Sequence, residues 1–122
     1  MAGSKTYQDL LPETTDTDSE LLFEMANLSP KRTGLPFVVW ISPRGNARHD
    51  VRVKVSPGPR AVPSGMVSVA IRPDVHVVEG EMKAGDLTLL GKWVSLNRDV
   101  LIRYWEGDIE FTEEAMELLQ PI

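Results

Sequence analysis

Apolar residues in this chain first alternate with polar ones and later recur at helical spacing. Phe37–Ser42 is aromatic and β-branched without alternation, which predicts a strand buried on both faces. Val51–Val55 alternates strictly. Val51, Val53 and Val55 point one way and Arg52 and Lys54 the other, as in a half-buried antiparallel strand with one wet, basic face. Residues 57–65, PGPRAVPSG, are too rich in Pro and Gly to continue a strand and predict an exposed loop. Met66–Arg72 alternates again, with Val67, Val69 and Ile71 opposed to Ser68, Ala70 and Arg72. After the break at Pro73-Asp74, Val75–Glu79 predicts a short fourth strand, with His76 between Val75 and Val77.

From Asp86 the period changes. Leu87, Leu90 and Val94 recur at i, i+3 and i+7, and Leu89, Trp93 and Leu96 widen the stripe. This predicts a helix capped by Asp86 and ending near Asn97. Asn97 is then the expected N-cap of a second helix, Arg98–Glu106, with Leu101, Tyr104 and Trp105 on its apolar side and Gly107 as its stop. Thr112 is the expected cap of a last helix, Glu113–Gln120. Strands followed by helices predict an α+β fold: an antiparallel sheet of about four strands packed against C-terminal helices. Trp93, Tyr104 and Trp105 are expected to fill the helix–sheet interface.

The N-terminal part reads differently. Residues 1–18 mix Gly, Ser, Thr, Asp and Pro, with Tyr7, Leu10 and Leu11 as the large apolar groups. That composition predicts a disordered acidic arm. A short helix is expected at Glu20–Asn27, ended by Pro30, and residues 30–36, PKRTGLP, read as a linker. The expected division is a flexible arm over 1–28 and one α+β domain over 29–122.

Charge sharpens this picture. The net charge is −5, yet residues 31–60 hold seven Lys/Arg and one Asp. Residues 1–30 and 61–122 are both acidic. Two readings follow: acidic ends neutralising a basic middle, or a basic face for an anionic partner. The absence of cysteine excludes disulfides, Cys-based zinc sites, iron–sulfur clusters and thiol nucleophiles. No secretory h-region and no apolar run of membrane-spanning length is present, so a cytoplasmic location away from membranes is expected.

The basic middle centres on a hairpin whose turn is Pro43-Arg44-Gly45-Asn46-Ala47, followed by Arg48, His49 and Asp50. Arg44, Arg48, His49, Arg52 and Lys54 are the candidate binding residues, because arginine forks match carboxylate or phosphate. The overall acidity weakens the case for nucleic acid. His49 beside Asp50 is the one tempting acid–base pair, but neighbours on a strand face apart and do not form a dyad. His49 and His76 with an Asp have no metal-ligand spacing, and no metal site or cofactor is expected. HExxH, P-loop, GxGxxG and nucleophile-elbow motifs are absent.

TGLPFVVWISPRGNARHDVRVKVS and WVSLNRDVLIRYWEGDI resemble a family of short bacterial proteins, and the second phrase is similar to the C-terminal pattern of DUF4160-type domains. The resemblance spans about residues 27–122. It implies a small cytoplasmic α+β domain of bacterial origin, of a kind discussed beside toxin–antitoxin modules. That family's His-x-His strand motif is replaced here by Arg48-His49-Asp50-Val51. The expected function is a non-enzymatic interaction module whose basic hairpin receives an acidic protein segment or a nucleic acid. The alternative is a toxin-like RNase or phosphodiesterase, or a toxin–antitoxin component, using the Arg48-His49-Asp50 region. The sequence leaves homo-oligomerisation open.

Overall fold

The structure, a computed structural model, describes residues 25–62 and 64–122. Five antiparallel strands form one sheet in sequence order: β1 (Ala26–Leu28), β2 (Val38–Ile41), β3 (Arg52–Ser56), β4 (Val67–Ala70) and β5 (His76–Glu79). The helices are α1 (Pro30–Thr33), between β1 and β2, then α2 (Ala84–Glu106) and α3 (Thr112–Leu118) after the sheet. The expected α+β order is therefore present, with five strands in place of about four.

The additional strand explains one misreading. Of the helix expected at Glu20–Asn27, residues 20–24 lie outside the described residues, while Ala26 and Asn27 pair with Ile41 and Trp40 of β2. The expected arm likewise falls mostly outside the described residues, and residues 26–28 belong to the sheet. Three residues cannot display a period, so β1 owes its form to the open edge of β2 rather than to its own pattern. The expected linker 30–36 contains α1, with Pro at its first position and Gly34 closing it at φ 83°.

Strand parity decides which side chains are covered. Leu28, Val39, Ile41, Val53, Val55, Val67 and Val69 share the face that packs against Leu90, Trp93, Val94, Leu101, Tyr104 and Trp105. α3 adds Ala115, with Leu119 just beyond it, on the same side. Each large aromatic or branched side chain buried there contributes about 1.5–3 kcal/mol relative to exposure. The opposite, outer face carries Val38, Trp40, Arg52, Lys54, Ser56 and Ser68, as the registers Val38↔Ser56, Trp40↔Lys54 and Lys54↔Ser68 require. At the far edge, a register shift between Ser68 and Val69 leaves Val78 as a bulge in β5. A bulge twists an edge strand and blunts its capacity to pair with another chain.

Asn97 does not divide the helical region. α2 is one continuous helix of 23 residues, and Asn97 is buried in its middle at 1% exposure. Its Nδ2 donates to the Trp93 carbonyl and to the Gln120 carbonyl, each at 2.9 Å. Its Oδ1 accepts from the Gln120 backbone N–H at 2.6 Å. The side chain thus satisfies itself by tying the C-terminal segment down, a role that local cap rules do not anticipate. The same segment reaches α1, where the Ile122 N–H donates to the Thr33 carbonyl at 2.9 Å. A Cβ on Gly34 would lie 2.5 Å from the Ile122 carbonyl oxygen, so glycine there serves both the turn and this approach. Thr112 also differs from expectation. It is the first residue of α3 rather than its cap, and its hydroxyl meets the Tyr104 hydroxyl at 2.6 Å.

Asn97→Ala strips three hydrogen bonds from a buried position. The expected outcome is a loss of about 1–3 kcal/mol in unfolding free energy, with faster amide exchange at Gln120. Urea denaturation and hydrogen exchange check it, and an unchanged midpoint contradicts the clamp.

Candidate functional site

The β2–β3 connection, residues 42–51, lies at the end of the sheet reached by the last turn of α2. Two contacts fasten it there. The Arg44 backbone N–H donates to the Trp105 carbonyl at 3.0 Å, satisfying one of the unpaired carbonyls at the helix end. The His49 ring stacks on Trp105, with centroids 5.5 Å apart and planes 27° from parallel. His49 has the parity of Val51 and Val53, which is why it turns toward α2. Its Nδ1–H donates to the Asp50 carbonyl at 2.7 Å.

Asp50 has the opposite parity and engages a different partner. The register Arg52↔Ala70, extended by two residues, sets Asp50 opposite Arg72. There the carboxylate takes a bidentate pair of hydrogen bonds from Arg72, Nε to Oδ2 at 2.7 Å and Nη2 to Oδ1 at 2.8 Å. Arg72 Nη2 also lies 4.0 Å from Glu106 at the end of α2. The Arg72 hydrogen bonds, followed by the Val51 backbone N–H, lower the Asp50 pKa from 3.8 to about 2, and the positive field of Arg44 adds to this. Over half of the Asp50 side chain is exposed, so solvent screening limits the pair to about 0.2–1 kcal/mol. Its main effect is geometric: it pins the hairpin to the β4–β5 turn.

The predicted residues are therefore sorted by the fold rather than gathered in one pocket. Arg44 and Arg48 are exposed on the turn, Arg52 and Lys54 are half-buried on the outer face, and His49 is held on the helix side. Arg44, Arg48 and Arg52 make no side-chain hydrogen bond or ion pair among the described residues. Asp50, the single acid in this stretch, is occupied by Arg72. What remains at this end is a set of forked cationic donors without carboxylates of their own. His49 and Asp50 point apart, as strand geometry predicts, and His76 lies on β5 with its Nδ1–H donated to the Asp74 carbonyl at 3.0 Å. Among the described residues no group of three His, Asp or Glu is placed to hold a metal ion. No described helix is long and apolar enough to cross a membrane.

Sequence reasoning missed two members of this arrangement. Arg72 was assigned to the polar face of its strand, but its partnership with Asp50 needs the β3–β4 register, which no single strand carries. Trp105 was assigned to the core, and its second role as the platform for His49 depends on where α2 ends. A cavity of about 380 Å³ opens at the other end of the sheet, lined by Phe37, Val55, Val67, Met82, Lys83 and Asp86 among others. Its walls come from four separated segments, which leaves no local signal. No family model, no curated protein and no solved structure matches the chain.

The Asp50–Arg72 pair has a pH signature. Because the folded carboxyl has the lower pKa, its stabilisation is complete above 3.8 and is lost as pH falls through about 2. Carbon-detected NMR titration should place the Asp50 midpoint near 2 in the parent and return it toward 3.8 in Arg72→Ala. A parent midpoint already at 3.8 contradicts the pairing.

Proposed function

We propose that the protein is a non-enzymatic binding module that receives an acidic protein segment on the Arg44–Arg48–Arg52 end of its sheet. The observation that carries this reading is the state of the charges. Three guanidinium groups on or beside one turn lack ionic partners among the described residues, while the neighbouring carboxylate is already bound by Arg72. Arginine forks pair with carboxylates in bidentate geometry, and partly exposed ones do so without a large desolvation penalty. The turn is anchored to Trp105 through the Arg44 backbone and the His49 ring, so the donors sit on a supported loop.

An acidic peptide suits this surface better than single-stranded nucleic acid. Base recognition needs exposed rings for stacking. Trp40, Trp93, Tyr104 and Trp105 are all buried, and Phe111 is the exposed large aromatic residue among those described. A catalytic role gains nothing comparable, since His49 faces Trp105 and Asp50 is held by Arg72.

The test is titration of the full chain with poly-glutamate against a variant carrying Arg44→Glu, Arg48→Glu and Arg52→Glu. The expected result is parent binding that weakens as salt rises, and a loss of about tenfold or more in the variant, equivalent to ~1.4 kcal/mol. Equal affinity of the two proteins overturns the reading. Tighter binding of a single-stranded RNA of matched charge replaces the acidic peptide with nucleic acid as the partner class.

A further inference from the structure

The two ends of the sheet differ in kind. One carries the arginine turn. The other opens into the cavity of about 380 Å³, a size within the roughly 300–1,000 Å³ that small-molecule sites occupy. Three strand ends supply its apolar wall: Phe37 leading into β2, Val55 of β3 and Val67 of β4, all buried members of the core. The facing wall is the stretch that runs from β5 into α2. It is held close by Gly80 at φ 91°, where a Cβ would lie 3.2 Å from the Val67 Cα. Met82 then packs against the core, and its flexible thioether can adapt to an apolar guest.

The charges around this cavity are not balanced. Glu81, Lys83 and Asp86 are its charged lining residues, two carboxylates against one ammonium. Glu81 and Lys83 are exposed, and Asp86 is half-buried in the first turn of α2. Among the described residues, none of these three side chains is taken up in a hydrogen bond or an ion pair. The surrounding chain has the same sign, since residues 61–122 hold eleven Asp/Glu and five Lys/Arg.

We infer that the cavity binds a small organic cation, a primary amine carrying an apolar or aromatic body. The body replaces water against Phe37, Val55, Val67 and Met82, and the ammonium pairs with Glu81 and Asp86 at the rim. An ammonium has three donors to share between two carboxylates, and the Phe37 ring adds attraction for a nearby cation. A carboxylate head on the same body would meet Glu81 and Asp86 as like charges, with Lys83 as its one counter-charge in the lining. The site shares no residue with the arginine turn, so it stands or falls independently of the acidic partner.

The probes are 2-phenylethylammonium and 3-phenylpropionate, which share an aromatic body and differ in the charge of the head group. Each is titrated into the full chain at low salt while the methyl signals of Val55, Val67 and Met82 are followed. The expected result is saturable shifts with the amine and binding of the carboxylate weaker by about fivefold, as two partly exposed charge pairs give. Glu81→Gln combined with Asp86→Asn erases that preference. Glu106→Gln, the same kind of charge loss about 30 Å away along α2, leaves it in place. Equal or tighter binding of 3-phenylpropionate by the parent overturns the inference, as does an amine preference that survives the double variant. Shifts on the Arg44–Arg48 turn in place of the cavity methyls also overturn it, and so does the absence of saturable amine binding. The head-group comparison uses the parent protein alone, so it decides the matter even where the double variant fails to fold.

Discussion

Everything at the basic end of this molecule depends on the alternation of β3. Val51, Val53 and Val55 must face α2, because they supply the centre of the only core among the described residues. Side chains on a strand alternate with a period of two, so this burial forces Arg52 and Lys54 to the outer face. The consequences are specific. His49 meets Trp105 and Asp50 meets Arg72, so the two neighbouring side chains engage separate partners. A slip of one residue would exchange the two sets, burying two cations without partners, which costs several kcal/mol each. The apolar side of β3 therefore sets the electrostatics of the other side.

The strand region was legible for this reason. Alternation in Val51–Val55 and Met66–Arg72 carries its own facing information, and the continuous apolar run at β2 announces burial on both sides. The elements that were not legible are those whose form is imposed from elsewhere. β1 is too short to show a period and forms on the edge of β2. Asn97 resembles a cap in every local respect, yet its side chain is consumed by Gln120, more than twenty residues away. The candidate site divides in the same way. Arg44, Arg48 and Arg52 could be named from the sequence, whereas the removal of Asp50 from the charge balance depends on cross-strand register with Arg72.

The acid–base–acid layout of the chain is only partly paired off among the described residues. Within the described residues, neutralisation is local and incomplete: Asp50 with Arg72, Asp99 with Arg103 one helical turn apart, and Glu106 at the margin of Arg72. None of these pairs reaches Arg44, Arg48 or Arg52. Val38 and Trp40 are buried on the same face as Arg52 and Lys54, outside the main core cluster.

The most direct measurement of this account follows the arginine side chains themselves. In the full chain, the Nε–Hε signals of Arg44, Arg48, Arg52 and Arg72 are recorded while an acidic peptide is added at low and then at high salt. The account predicts that Arg44, Arg48 and Arg52 shift together, that high salt reverses the shifts, and that Arg72 stays fixed on Asp50. Displacement of Arg72 while the other three remain still would contradict it, as would changes confined to the cavity around Phe37 and Met82.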